Sequence, residues 1–114
     1  MAACLFCRIV NGEIPAEVVY EDELVMAFKD VNPQAPIHLL LVPKKHLANL
    51  LELAEADKDL SSHFLAVINK LAQQYDLKGK GFRTVINTGE DGGQTVEHLH
   101  FHLLGGRFMG WPPG

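Results

Sequence analysis

Apolar residues in the middle of the chain recur at the spacing of one face of an α-helix. They predict a helix over residues 58–75, for which Asp57 is a suitable N-cap because its carboxylate can accept from a free backbone N–H. The apolar positions of this stripe are Leu60, Phe64, Val67, Ile68, Leu71 and Tyr75. His63 lies outside the stripe and is expected on the solvated surface.

Five shorter segments are rich in β-branched or alternating apolar residues and predict strands. Their ranges are 17–22, 24–28, 38–42, 82–87 and 96–104. The first two flank a tight turn and form a hairpin, whereas the unbroken apolar run of the third is typical of a central strand. Apolar groups at 5–10 and 46–53 predict short helices. This order of elements predicts the α+β class: a five-stranded antiparallel sheet with one long helix and one or two short helices on one face.

Histidines alternate with large apolar residues in the last predicted strand. Half of the six histidines of the chain, His98, His100 and His102, occur there at every second position. Since side chains of a strand alternate between its faces, the imidazoles share one face and lie about 6–7 Å apart. Histidines that are only buried and hydrogen-bonded remain an alternative. So does a three-histidine metal site, although parallel side chains of one strand do not converge on one ion.

Glycines flank this histidine row in the segments 92–97 and 105–107. Glycine allows unusual dihedrals and close approach of the backbone, and successive amides in such a turn can form an anion-binding nest. Histidine has an ordinary pKa of about 6.5, so its ring is largely neutral and nucleophilic at neutral pH. A neutral imidazole beside an anion-binding turn indicates attack on phosphorus.

The length of 114 residues predicts one domain over residues 1–114. Hydrophobic residues make up 47% of the chain, which is enough for a core, and the formal net charge is −4. The lack of a basic excess argues against nucleic acid as a partner. No segment approaches the roughly 20 apolar residues of a membrane span, so we expect no membrane partner and a cytoplasmic location.

Three segments resemble the signature motifs of one family. Residues 92–107 read Gly-Gly-Gln-Thr-Val-Glu-His-Leu-His-Phe-His-Leu-Leu-Gly-Gly-Arg, residues 28–38 read Phe-Lys-Asp-Val-Asn-Pro-Gln-Ala-Pro-Ile-His, and the chain ends in Trp-Pro-Pro-Gly. These motifs are similar to those of the histidine triad (HIT) family, and the last resembles its nucleotide-binding branch. The resemblance implies the same fold in a homodimer whose sheet continues across the interface, with the tail near the partner's active site.

The resemblance also implies a hydrolase that acts on nucleotides in two displacements. His100 is the expected nucleophile and becomes nucleotidylated, while His102 and His38 flank it and stabilise the developing charge. Thr95 is expected to relay a proton to the leaving group, and His98 to contact the nucleotide together with the rest of the row. The remaining expected contacts are Asp30 for the ribose, Asn87 for a phosphoryl oxygen, backbone amides of Gly93 and Gln94, and a base slot of Phe6, Ile14, Phe28 and Val31. Ordinary turn chemistry and core packing are the alternatives for the turn and slot residues.

Cys4 and Cys7 have the spacing of half a zinc site. Related proteins that carry such a pair complete the tetrahedron with a histidine before the long helix and with the first histidine of the row. The corresponding residues here are His46 and His98. The resemblance therefore implies a structural zinc ion and no organic cofactor, and two free thiols are the alternative.

The leading functional hypothesis is a purine nucleoside phosphoramidase, which hydrolyses amine or acyl substituents from an AMP-like or GMP-like nucleotide. A dinucleoside polyphosphate hydrolase of the same family is the second hypothesis, against which the short chain and the Trp-Pro-Pro-Gly tail argue. A third is a nucleotide-binding interaction protein with incidental turnover, because a binder needs the same pocket.

Overall fold

The computed structural model describes residues 4–114, in which the sheet and helices follow the predicted order. The helices are α1 (Leu5–Val10), α2 (Leu50–Ala56) and α3 (Lys58–Gln74). The strands are β1 (Val18–Glu21), β2 (Val25–Lys29), β3 (Ile37–Pro43), β4 (Phe82–Val85) and β5 (Phe101–Gly105).

The five strands form one antiparallel sheet in the order β1-β2-β3-β5-β4. β3 lies in the centre, and its residues 38–43 are all buried. In its register with β5, Leu40 is opposite His102 and Leu41 is opposite Phe101. The predicted α+β fold with a central third strand is therefore confirmed.

The helix α3 packs its apolar stripe on one face of the sheet. Asp57 caps it by accepting from the backbone N–H of Leu60 at 2.9 Å, as predicted. Phe64 is fully buried and stacks on Phe101 of β5 with ring centroids 4.5 Å apart. Within residues 4–114, no helix combines the length and apolarity that crossing a bilayer requires.

The opposite face of the sheet is covered by the short helix α1. Phe6 of α1 packs into a second apolar cluster with Met26, Phe28, Leu40 and Val42. Six residues are too few for a helix that is stable by itself, so α1 depends on these tertiary contacts. The covering of both faces differs from the predicted one-sided arrangement, in which all helices share a face.

The last strand is shorter than predicted. Ladder pairing begins at Phe101 rather than at residue 96, because the backbone N–H of Leu99 donates to the carbonyl of Leu47, outside the sheet, at 2.7 Å. The alternation nevertheless persists in the irregular segment. Leu99 is buried in the core with α3, whereas the rings of His98 and His100 contact Phe6 on the other face.

The second short helix begins four residues later than the predicted 46–53. Asn49 caps it by accepting from the backbone N–H groups of Leu51 and Glu52. Leu47 precedes the helix and is buried in the core. The apolar spacing therefore identified a real helix, but the capping residue determines where it starts.

The prediction that His63 is a solvated surface residue was wrong. His63 on α3 is half-buried, and its Nε2 lies 2.7 Å from the carboxylate of Asp22 in the β1–β2 turn. The hydroxyl of Tyr20 donates to the same carboxylate oxygen at 2.7 Å. Through this contact with Asp22, His63 links the β1–β2 hairpin to α3.

Candidate active site and metal centre

A cleft of about 320 Å³ lies between α1 and the sheet, and we refer to it as the α1 cleft. Its lining is largely apolar with a few polar groups, which is typical of a small-molecule site. The lining residues are Leu5, Phe6, Ile9, Ile14, Pro15, Ala16, Phe28, Lys29, Asp30, Val31, Leu40, Thr95, Val96, His100 and His102.

His100 lies immediately before β5, where a hydrogen bond fixes its tautomer. Its Nδ1–H donates to the backbone carbonyl of His98 at 2.8 Å. The neutral ring therefore carries its lone pair on Nε2. The ring borders the α1 cleft and packs against the ring of Phe6 with centroids 5.1 Å apart. An oriented and unprotonated imidazole nitrogen beside a cleft is suited to nucleophilic attack.

A chain of hydrogen bonds fixes the protons of His38 and His102. The backbone N–H of Gln34 donates to Nδ1 of His38 at 3.0 Å, so the proton of the neutral His38 ring is on Nε2. This Nε2–H faces Nδ1 of His102 at 2.9 Å and donates to it. The proton of the neutral His102 ring is therefore on Nε2, where it can be offered to a ligand.

Burial keeps both of these rings neutral at physiological pH. It lowers the pKa of His102 to about 4, and the neighbouring rings of His100 and His38 act in the same direction. Burial also lowers the pKa of His38, although the carboxylate of Asp30 acts in the opposite direction. His102 is thus a neutral N–H donor, which can stabilise negative charge that develops on a ligand oxygen.

Asp30 follows β2 and lines the α1 cleft. Its Oδ2 lies 3.4 Å from Nε2 of His38, and its Oδ1 accepts from the backbone N–H of Asn32 at 2.8 Å. Asp30, His38 and His102 together have the donor atoms for a metal ion. However, the hydrogen bonds of His38 already engage both of its ring nitrogens, so we interpret the group as a hydrogen-bonded relay.

The structure brings most of the predicted site residues to one place. Those that line the α1 cleft are Phe6, Ile14, Phe28, Asp30, Val31, Thr95, His100 and His102. His38 joins them through His102. Leu5 and Ile9 also line the cleft beside Phe6, although they were not predicted to do so. Their i, i+4 spacing on α1 was the available signal.

Three of the residues predicted to contact the nucleotide, Gly93, Gln94 and Asn87, do not line the α1 cleft. The N–H of Gly93 donates to the carbonyl of Glu90 and that of Gln94 to the carbonyl of Gly89, both at 3.0 Å. These hydrogen bonds close the glycine-rich turn.

The side chain of Gln94 also has a structural role. Its amide nitrogen donates to the carbonyls of Ala48 at 2.7 Å and Val96 at 3.0 Å. Its amide oxygen accepts from the N–H of Gly89 at 3.0 Å. Gln94 therefore holds the turn against the segment before α2, next to Thr95, which borders the cleft.

The side chain of His98 lies outside the α1 cleft and in a separate cluster. This cysteine–histidine cluster consists of Cys4, Cys7, His46 and His98, whose ligand atoms all lie within 4.8 Å of one another. Nδ1 of His98 is 3.4 Å from Sγ of Cys4 and 3.5 Å from Sγ of Cys7, and Nδ1 of His46 is 3.2 Å from Sγ of Cys7. These four residues are the ones that the resemblance implied.

The donor set of the cysteine–histidine cluster fits a tetrahedral zinc ion. With Zn–N and Zn–S bonds of about 2.1 and 2.3 Å, the nitrogen and sulfur ligands of a tetrahedron are about 3.6 Å apart. The observed separations are close to that value. Nε2–H of His98 donates to the carbonyl of Pro43 at 2.9 Å, so the lone pair on Nδ1 faces the sulfurs. A backbone carbonyl behind a histidine ligand is the usual outer-shell partner of zinc.

Comparison with known proteins identifies the family. The HIT domain family model matches residues 11–109. A HIT-like protein of Synechococcus elongatus is 54% identical over 110 residues, which cover 96% of this chain and 96% of that protein. A HIT family hydrolase from Legionella pneumophila has a TM-score of 0.94 at 52% identity, and the match covers 97% of this chain and 99% of that one.

A more distant structure also covers most of the chain. The histidine triad nucleotide-binding protein from Candida albicans has a TM-score of 0.84 at 34% identity, over 96% of this chain and 83% of that one. The family match includes the whole histidine row and the segment 28–38. The chain therefore belongs to the HIT family and has the fold of a HIT family hydrolase.

Proposed function

We propose that this protein hydrolyses purine nucleoside 5′-phosphoramidates and acyl-nucleotides through a nucleotidyl intermediate on Nε2 of His100. The hydrogen bond from His100 Nδ1–H to the carbonyl of His98 is the observation that carries this proposal. It orients the ring and leaves the unprotonated nitrogen beside a ligand-sized cleft. The cleft volume of about 320 Å³ is at the lower end of the range of about 300–1,000 Å³ for small-molecule sites, which favours one nucleotide over a dinucleotide.

In the first displacement, Nε2 of His100 attacks phosphorus, and the bond from phosphorus to the leaving nitrogen or oxygen breaks. The leaving group takes the bonding electron pair and a proton from solvent, which the hydroxyl of Thr95 relays. His102 donates through Nε2–H to a phosphoryl oxygen and stabilises its charge. The products are the free amine or acid and the nucleotidyl-histidine.

In the second displacement, water attacks the same phosphorus, and the bond from phosphorus to Nε2 of His100 breaks. The ring recovers its lone pair, the water gives one proton back to solvent, and a nucleoside 5′-monophosphate is released. Two steps with moderate activation barriers thus replace a single hydrolysis with a high barrier. The hydrogen bond of Nδ1 to His98 holds the ring in place throughout.

Recognition of the nucleoside is proposed from the remaining lining of the α1 cleft. The apolar side chains of Phe6, Ile14 and Phe28 provide a slot for a purine base. The carboxylate of Asp30 can accept from both ribose hydroxyls. The similarity to a structure named as a nucleotide-binding protein supports the same ligand class. Few polar groups are available for base edges, so we propose that adenine and guanine are both accepted.

The experiment is intact-mass spectrometry of protein mixed with adenosine 5′-phosphoramidate and quenched in alkali. We expect an adduct that adds the mass of AMP less one water, that is, of an adenylyl group, to the unmodified protein and to a His63→Asn control, and none on His100→Ala. The ratio of kcat/KM for this substrate and for a diadenosine polyphosphate separates the two hydrolase hypotheses. Turnover without any adduct on His100 overturns the proposal.

We also propose that the cysteine–histidine cluster binds a structural zinc ion. When bound, zinc would be held by Cys4, Cys7, His46 and His98 and would tie α1 to the segment before β5. Burial raises the pKa of the Cys7 thiol, so a metal ion is needed to hold it as a thiolate at neutral pH. A reducing compartment such as the cytoplasm would keep both thiols available. Elemental analysis should give one zinc per chain, and less than a tenth of an equivalent in fully active protein would end this proposal.

A homodimer is proposed from the edge of the sheet that β4 forms. β4 forms one edge, with Phe82 exposed on it. Phe108 and Trp111 of the C-terminal segment are also exposed, and Arg83 of β4 donates to the carbonyl of Gly110 at 2.9 Å. An exposed strand edge with apolar side chains favours pairing with a second copy. Sedimentation should give twice the chain mass, and Phe82→Asp should shift the protein toward monomer.

A further inference from the structure

We infer that metal binding at the cysteine–histidine cluster and nucleotide binding in the α1 cleft are energetically coupled, with His98 as the positioning residue that joins them. This inference rests on the proposed function, since it takes AMP as the ligand of the cleft. The cluster and the cleft do not share a side-chain ligand: the four cluster residues are absent from the lining of the cleft. Two separate structural connections nevertheless join them.

The first connection is His98 itself. Its imidazole belongs to the cluster, while its backbone carbonyl accepts from Nδ1–H of the nucleophile His100 at 2.8 Å. The ring is fully buried and is held from behind by the carbonyl of Pro43 at 2.9 Å. The same residue therefore provides both a ligand atom of the cluster and the acceptor that sets the orientation and tautomer of His100.

The second connection is the helix α1. Cys4 is its N-cap and Cys7 lies in its first turns, so both thiols of the cluster come from this element. Phe6 lies between them in sequence and packs against three rings, with centroid distances of 5.1 Å to His100, 5.6 Å to Phe28 and 5.9 Å to His98. The same helix provides Leu5, Phe6 and Ile9 to the cleft lining.

A helix of six residues has too little stability of its own to hold a pocket wall in place. A ligand bridge from both cysteines to His46 and His98 would restrict α1 to the position that the cleft requires. A nucleotide packed against Phe6 would restrict α1 in the same way. When one ligand has already ordered α1, the other ligand binds at a lower cost in conformational entropy, which gives positive coupling.

Coupling between two equilibria must be reciprocal: the factor by which the metal raises the affinity for the nucleotide equals the factor by which the nucleotide raises the affinity for the metal. We expect a factor of roughly 5 to 150, the range usual for such coupling. A zinc ion that only stabilised the fold at a distance would leave both factors at one.

The experiment measures both sides of this cycle on the full chain under reducing conditions. Calorimetry gives the Kd of AMP for zinc-loaded and chelator-treated protein, with circular dichroism to confirm that both are folded. Competition with a chromophoric chelator gives the Kd of zinc with and without saturating AMP. The inference predicts the same factor from both pairs of values, and factors of one in both overturn it.

Two variants sharpen the comparison. His46→Asn removes one cluster ligand, so it should weaken zinc binding, and a given concentration of zinc should raise the affinity for AMP less than in wild type. His63→Asn changes a histidine outside the cluster and the cleft and should retain the full coupling factor. Loss of coupling in His63→Asn would contradict the path through His98 and α1.

A cobalt-substituted protein provides a second readout if the metal-free chain unfolds. Addition of AMP should shift the visible ligand-field bands of Co²⁺ at the cluster, and unchanged bands at AMP saturation overturn the inference. Absence of AMP binding in every form overturns the proposed function and this inference together. Binding of both AMP and metal without coupling overturns the inference alone.

Discussion

His38 and His102 are joined across the neighbouring strands β3 and β5 by a hydrogen bond of 2.9 Å from Nε2 to Nδ1. Because the N–H of Gln34 occupies the other ring nitrogen of His38, the direction of this bond is fixed. A residue on β3 thus determines which nitrogen of a β5 residue carries the proton. Within the proposed mechanism, this relationship provides the N–H donor for the phosphoryl group.

The His38→Ala variant tests that relationship. Without His38, the ring of His102 samples both tautomers, so we expect kcat for adenosine 5′-phosphoramidate to fall by about tenfold with KM little changed, because the donor acts in the transition state. His102→Ala removes the donor altogether and should cost about 10²–10³ in kcat. Steady-state kinetics compare the two variants, and a larger loss in His38→Ala than in His102→Ala would contradict this order.

The depressed pKa of His102 predicts a specific pH dependence. The folded-state pKa of about 4 lies below the value of about 6.5 for an unfolded histidine. The unfolded chain therefore binds a proton between pH 6.5 and 4 that the folded ring does not, and the stability that His102 contributes above pH 6.5 declines across this window. NMR titration of the His102 ring should give a midpoint near pH 4, and a midpoint near 6.5 would show that burial does not act as described.

Some features of this site follow from the local sequence, whereas others depend on contacts that only the folded chain makes. Alternation of side chains around His100 needs only an extended backbone. The sequence could therefore predict that His98 and His100 lie on one side of the chain, although the strand itself begins at Phe101. The use of the Gly93 and Gln94 amides was not predictable, because it depends on which carbonyls the folded turn brings near them. The separation of His98 into its own cluster depended on a residue distant in sequence, His46, which only the resemblance indicated.

The half-buried carboxylate of Asp22 should contribute to stability rather than to activity. Burial acts to raise its pKa, but hydrogen bonds from Tyr20, from the backbone N–H groups of Leu24 and Val25, and from His63 together hold that pKa well below its usual range. Asp22→Ala should therefore lower the free energy of unfolding by about 2 kcal/mol at neutral pH. Urea unfolding measures this loss, and turnover should be unchanged because Asp22 does not line the α1 cleft.

The pH dependence of that loss follows from the direction of the shift. A carboxylate with a depressed folded-state pKa stabilises the protein above its unfolded pKa of about 3.9, and the contribution is lost as the pH falls below that value. Asp22→Asn keeps an acceptor for the turn amides but removes the charge, so its loss should be smaller than that of Asp22→Ala. Equal losses in the two variants at neutral pH would show that the charge of Asp22 contributes nothing.

Asp30 can act on His38 or on the ribose of the substrate, and substrate analogues distinguish the two roles. Its carboxylate lies 3.4 Å from Nε2 of His38 and also borders the α1 cleft, where it is proposed to accept from the ribose hydroxyls. Hydrogen bonds from a ligand to a charged group contribute about 1.5–3 kcal/mol, so Asp30→Asn should lower kcat/KM for adenosine 5′-phosphoramidate by about tenfold to a hundredfold. The 2′,3′-dideoxy analogue should already be a poorer substrate of the unmodified protein.

The decisive quantity is the ratio of kcat/KM for the ribose and dideoxyribose substrates. If Asp30 binds the ribose, Asp30→Asn brings this ratio close to one, because the analogue never made the contact that the variant loses. If Asp30 acts only on His38, both substrates lose the same factor and the ratio is unchanged, since the relay does not touch the sugar. The His38→Ala variant provides the matched control, in which the ratio should remain that of the unmodified protein.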